Sequence, residues 1–231
     1  RPFRIQRFDY MPAATLVAGW GNAAAAPEAT RNHLAAGLRL LDMHGQSDLA
    51  AGFLTARDPS DAGRFFTHDH GRLWDEVQPA DTFAVSTSDK DTGGRAANHG
   101  AIQLSSAIYR RCPDIHAVVH AHPEGVMALA AARAPLSFIS EPSFLFYNRT
   151  GYLPADYFFS DAYAETAADV VEAGAIAVVI ENHALLAVGR TIAEAFLRAH
   201  MLEQAAAAQL RAAALGSGGY GGGGYGGGAG G

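Results

Sequence analysis

Two periods of apolar residues run through the chain. From Pro27 to His44 the apolar positions Leu34, Leu38 and Leu41 recur at helical spacing, and Gly45 ends the run, which predicts an amphipathic helix. Leu49 to Arg57 reads as a strand followed by the turn Asp58-Pro59-Ser60-Asp61, with two further short strands at Gly63 to Thr67 and Thr82 to Ser86. Ile102, Leu104 and Ile108 predict a helix over 101–111 that stops ahead of Pro113. A strand at 115–120 follows, then a helix over roughly 124–132 with Pro123 in its first turn. Phe144 to Tyr147 is aromatic and strand-like, and Thr150-Gly151 suits a turn. Asp161 to Ala173 is helical with Gly174 just past its end. Ala175 to Glu181 is a continuous apolar run of strand length, the kind buried on both faces. Ala184 to Val188 is a second strand, and Thr191 to Leu215 a long helix opened by the capping box Thr191/Glu194. Buried runs mixed with short hairpin-like pieces and helices predict an α/β layered domain with a largely antiparallel central sheet.

Composition narrows the classes. The 231 residues are 49% hydrophobic with a net charge of −6, enough for one α/β domain or two small ones. No run of Lys or Arg marks a nucleic-acid surface, and no apolar stretch approaches the roughly 20 residues of a membrane helix. The N-terminus lacks the apolar core of a signal peptide, and without an initiator Met a leader outside this numbering stays open. A single cysteine, Cys112, fits a reducing compartment, so a cytoplasmic protein is expected. Residues 1–27 form an irregular N-terminal extension, 28–215 the domain, and 216–231 a Gly-rich tail carrying Tyr220 and Tyr225.

The candidate chemistry lies where apolar strands stop. In Ile115-His-Ala-Val-Val-His-Ala-His-Pro-Glu-Gly125, His120 and His122 stand at i and i+2 and share one face at the strand's end. Such a pair is either solvent-facing or half of a divalent metal site. His183 also ends an apolar strand, and three neutral imidazoles at one sheet end would leave metal positions open for a reaction. The helix after Pro123 could direct its N-terminus at an anion. A second pair, His68-Asp69-His70, reads as part of a polar loop, either a loop pair or a substrate or metal contact.

These residues carry a resemblance. His116-Ala-Val-Val-His-Ala-His122 and Ile180-Glu-Asn-His-Ala-Leu-Leu-Ala-Val-Gly189 resemble the class II aldolase/adducin family. Leu49 to Pro59, Ser106 to Asp114, Phe146 to Tyr152 and Arg190 to Phe196 fit too, closest to the adducin-like, non-sugar-phosphate branch. The resemblance implies a three-layer α/β/α sandwich, a homotetramer with sites between subunits, and a divalent ion (zinc foremost, manganese or iron as alternatives) on His120, His122 and His183. In the aldolases that ion binds adjacent substrate oxygens and stabilises an enediolate. Departures matter: Ala101 stands at the aldolases' acid/base glutamate position, Phe53 where many relatives have a histidine, and the phosphate loops are missing. His99, Gln103, Glu124 or Glu141 could replace the glutamate. The implied activity is a metal-dependent carbon–carbon lyase, cleaving or decarboxylating a small non-phosphorylated hydroxy or keto acid. Arg57, His68 and Arg149 are candidates to bind its carboxylate. Glu141, Tyr147 and Tyr152, with the tail tyrosines, are candidates to move the proton. Alternatives on the same fold are a non-haem Fe(II) oxygenase and a non-enzymatic adducin-like oligomerisation module.

Overall fold

The computed structural model describes residues 26–156 and 158–217. Along them run α1 (Pro27–Met43), β1 (Phe53–Arg57), β2 (Arg64–His68), β3 (Thr82–Ser86), α2 (His99–Arg111), β4 (Ala117–Ala121) and α3 (Glu124–Ala132). Then come the short α4 (Glu141–Phe144), β5 (Thr150–Leu153), α5 (Asp161–Glu172), β6 (Ala177–Ile180), β7 (Ala184–Gly189) and the long α6 (Ile192–Ser217). The seven strands form one sheet in the order β3-β2-β1-β4-β7-β6-β5. Every pairing is antiparallel except β5 with β6.

Strand alternation builds two cores on the two faces of this sheet. On one face Leu54, Ala56, Val119, Leu185 and Ala187 pack against Leu34 and Leu38 of α1, Val126 and Leu129 of α3, and Ala199 and Leu202 of α6. On the other, Phe53, Phe65, Val118, Leu186 and Val188 pack against Leu104 and Ile108 of α2 and Ala164 and Ala168 of α5. The result is the three-layer α/β/α sandwich that the family resemblance implies, with the mostly antiparallel sheet expected from the strand pattern.

Four local expectations are corrected. Leu49 to Gly52 is not strand: Leu49 and Gly52 take positive φ (51° and 81°), and the ladder begins only at Phe53. His68 is not in a loop but ends β2, fully buried. Phe144 to Tyr147 is not a strand, because Ser143 Oγ accepts the Ser140 N–H at 3.2 Å and Pro142 stands in the first turn of the short α4. Thr150-Gly151 is not a turn but the start of β5. Gly151 serves close packing there, since a Cβ would come within 2.3 Å of the Val170 side chain.

The start of α6 shows how a charged pair can hold the layers. Thr191 Oγ1 accepts the Glu194 N–H at 3.0 Å and Glu194 Oε2 accepts the Arg190 N–H at 2.6 Å, close to the predicted capping box. The other Glu194 oxygen accepts a hydrogen bond from Arg198, whose Nη1 donates to the Val188 carbonyl of β7 at 2.6 Å. Both side chains are about nine-tenths buried, so removing one leaves an uncompensated charge. Glu194→Ala is expected to cost about 3 kcal/mol in urea unfolding. A midpoint unchanged from wild type would show that the pair contributes nothing net.

Candidate metal centre

β4 presents Val118 and His120 to the α2/α5 side of the sheet, and register places His120 between Phe53 of β1 and Leu186 of β7. His122 follows two residues later, past the strand end. His183 sits in the turn between β6 and β7, closed by its N–H to the Ile180 carbonyl at 3.1 Å. Asn182 ahead of it has φ 53°, and its N–H donates to the Ala130 carbonyl at 3.2 Å, so the end of α3 anchors the turn. Strand ends from neighbouring β4 and β7 thereby converge.

The three rings form a near-equilateral triangle, with centroids 4.9, 5.1 and 5.1 Å apart. One potential ligand atom from each lies within 4.8 Å of the others. Two imidazoles sharing a tetrahedral ion at metal–nitrogen distances of about 2.0–2.1 Å would hold their centroids about 5.2 Å apart. The residues present therefore fit a divalent ion.

The surroundings set both tautomer and basicity. His120 Nδ1 lies 2.9 Å from the Leu185 carbonyl, which fixes the proton on that nitrogen and leaves Nε2 as the ligand atom. Phe53 packs on His120 at 5.2 Å between centroids. Phe159, in the left-handed region at φ 46°, packs at 5.4 Å from both His120 and His183. Burial among these rings disfavours the imidazolium form. It holds His120 well below the ordinary histidine range, helped by the charges His122 and His183 would carry. Burial likewise lowers His122, with Asp48 opposing, and brings His183 down to about 4 with His122 adding to the shift. All three are neutral at pH 7, the form in which an imidazole can take a metal.

A pH dependence follows with a definite sign. Because the folded-state values are depressed, the unfolded chain takes up protons first as pH falls below its ordinary value of about 6.5. Their contribution to stability is complete above that pH and is lost between about 6.5 and the folded value of about 4 at His183. The melting temperature of metal-free protein is expected to fall through this window and to fall less steeply in His183→Ala. Parallel slopes in the two proteins would contradict the assignment.

The other expected site residues lie elsewhere in the chain's own fold. Arg57 is at the far end of β1, donating to the carbonyls of Ile115, Ala62, Tyr109 and Cys112. His68 faces the opposite layer from His120, with Nδ1 3.1 Å from the Asp69 carbonyl. Arg149 is exposed ahead of β5, its carbonyl accepting the Ile176 N–H at 2.9 Å. Glu141, the first residue of α4, and Tyr147, just past its end, are exposed, and Tyr147 packs edge-on to Phe138. Tyr152 is level with Val179 and accepts the Leu136 N–H at 2.9 Å; it lines a cavity of about 190 Å³ with Arg133, Glu181 and Leu129. Ala101 is fully buried. The α3 N-terminus, read as an anion site, is filled from within: Glu203 of α6 accepts the Gly125 and Val126 N–H groups at 2.9 Å each.

Phe159 and the 48–52 loop were not legible as site elements. Phe158 and Phe159 are adjacent and chemically alike, yet Phe158 is 84% exposed and Phe159 8%. Gly52 matters because a Cβ there would lie 2.5 Å from the His120 carbonyl oxygen. Its own carbonyl accepts from Asn98, the residue capping α2, at 3.4 Å.

Comparison with known proteins agrees with this architecture. The family model described as "Class II Aldolase and Adducin N-terminal domain" matches residues 32–210. The chain belongs to that family. It is 29% identical over 189 residues to alpha-adducin of Rattus norvegicus, covering 78% of this chain and only 25% of the adducin. Two Streptomyces proteins are each 29% identical over 172 residues, 71% of this chain. One is the "4-hydroxy-3-prenylphenylpyruvate oxygenase/4-hydroxy-3-prenylbenzoate synthase" of Streptomyces roseochromogenus, covered over 60% of its length. The other is "Decarboxylase NovR" of Streptomyces niveus, covered over 62%. The chain thus spans less than two thirds of each of these three relatives. Among solved structures, an aldolase II superfamily protein from Pseudomonas syringae superposes with a TM-score of 0.75 at 25% identity, over 82% of this chain and 77% of that one.

Proposed function

We propose that the protein is a divalent-metal-dependent carbon–carbon lyase acting on a small, non-phosphorylated hydroxy or keto acid. The observation that carries this reading is the convergence of three buried or half-buried neutral imidazoles at one sheet end. A bound divalent ion, zinc foremost, would supply Lewis-acid stabilisation of negative charge developing on a substrate oxygen. The chain's own residues do the rest. His120, His122 and His183 hold the ion, and the Leu185 carbonyl keeps His120 in the tautomer that presents Nε2. Phe53 and Phe159 keep water from the inner side of the triad.

With alanine at 101, the proton carrier comes from elsewhere, and we assign it to a group brought by assembly into a homotetramer. Glu141 and Tyr147, exposed on their own chain, are the first candidates, with Tyr152 third. Arg149 is exposed and free of any role in the sheet ladder beyond its backbone, so it is the better carboxylate-binding candidate than Arg57 or His68, which are engaged or buried. The buried free thiol of Cys112 suits a reducing, cytoplasmic setting, and no helix among the described residues is long and apolar enough to cross a membrane.

The test is a screen of hydroxy and keto acids with protein loaded with zinc or manganese, following aldehyde or carbon dioxide release. Turnover that depends on the metal supports the lyase. A second reading has its own support in the oxygenase name of one Streptomyces relative: oxygen consumption that requires added Fe(II), with no anaerobic turnover, would replace the lyase by an oxygenase.

A further inference from the structure

A second pair of histidines lies outside the triad, where the end of α1 meets α6. His44 is the C-cap residue of α1, and His200 comes from the third turn of α6. Their ring centroids are 4.5 Å apart. Phe196, one helical turn before His200, lies parallel to its ring within 9° at 6.0 Å and also packs on His44 at 5.9 Å. Gln46 completes the group. It is fully buried, its amide nitrogen is 3.3 Å from His200 Nδ1, and its Oε1 has no hydrogen-bond partner.

We propose that His44 and His200 form a second transition-metal site, separate from the triad and selective for Cu²⁺ over Zn²⁺. Two imidazoles occupying adjacent positions at about 90° around an ion, with metal–nitrogen distances of about 2.0 Å, would place their centroids about 4.5 Å apart. That is the observed spacing, and it is tighter than the triad's. A right angle at the ion would suit the tetragonal coordination of Cu²⁺, which also heads the affinity order for nitrogen ligands.

Gln46 supplies the supporting contact such a ligand needs. A metal-ligating histidine donates its other ring N–H to an acceptor. Half a turn of the Gln46 amide exchanges its nitrogen and oxygen, so His200 Nδ1–H donates to the otherwise unpartnered Oε1 and Nε2 is left for the metal. Charge favours a cation as well. The C-terminal carbonyls of α1 form the negative end of a 17-residue helix with no basic residue in its last turn. Asp42 stands in that same turn, held by Ser47 Oγ at 2.5 Å. Burial and the neighbouring His44 hold His200 below the ordinary histidine range, in the neutral form a metal takes. Gln46 leads directly into the loop that ends at Gly52 against His120, so an ion here would brace the wall of the catalytic centre.

The experiment is calorimetric titration of chelator-stripped full-length protein with Cu²⁺ and with Zn²⁺, paired with electron paramagnetic resonance of the copper form. Wild type is expected to bind two Cu²⁺ per chain. His44→Ala should weaken the second copper by about tenfold or more and leave the first unchanged; because His44 is exposed, that variant keeps its fold. His200→Gln should do the same, and His122→Ala should remove only the other copper. Two outcomes would overturn the proposal: a single copper in wild type, or a second copper untouched by His44→Ala and His200→Gln. The latter would mark an adventitious ion only.

Discussion

His183→Ala is expected to abolish metal-dependent turnover while the protein stays folded. The substitution removes one of the three proposed ligands, and with it several kcal/mol of stabilisation of the developing oxyanion, so kcat/KM should fall by about a thousandfold or more. The fold should survive because His183 is half-buried in a turn held by backbone bonds, its own N–H to Ile180 and that of Asn182 to Ala130. Circular dichroism and a urea midpoint near wild type, within about 1 kcal/mol, would show that activity rather than structure was lost. A fully active His183→Ala would remove the triad from the mechanism.

Gly52→Ala should damage stability and site together. Gly52 sits at φ 81°, where a side chain is strained, and its Cβ would lie 2.5 Å from the His120 carbonyl oxygen and 2.9 Å from the Trp74 ring. Backbone strain and overpacking each cost about 1–3 kcal/mol, for an expected loss of about 4 kcal/mol. The contact that must give is the backbone of His120, a proposed ligand, so metal affinity should drop along with the melting temperature. Substituting Gly45, also at positive φ but with nothing within 4 Å of its Cβ, should cost only the backbone strain and leave metal affinity alone. Equal effects at the two positions would contradict a coupling through His120.

What could be read from the sequence follows from how locally each feature is encoded. Helix α3 and strand β3 fall within their expected bounds because apolar spacing and flanking signals agree there. The triad was visible because an imidazole directly after a strand-length apolar run has few reasons to be there. Gly151 was misread because a glycine placed for contact with Val170 looks, in sequence, like one placed for a turn. Tyr147 and the residues before it are aromatic and β-prone, yet the Ser143 hydroxyl on the Ser140 N–H and Pro142 decide for a helical turn. His68 and Gln46 are polar residues buried by tertiary packing, which no local periodicity reports. Glu203 lies 78 residues from the Gly125 N–H it accepts, so the filling of the α3 N-terminus depends on how α6 crosses the sheet.

The central claim is that His120, His122 and His183 act as one metal centre, and the most direct test is metal content. Protein purified without chelators should carry about one zinc or manganese per chain at the triad, and His122→Ala purified in parallel should carry none there. Iron in place of zinc would keep the centre but favour the oxygenase. Equal metal in the two proteins, or no metal in wild type even after reconstitution, would contradict the account.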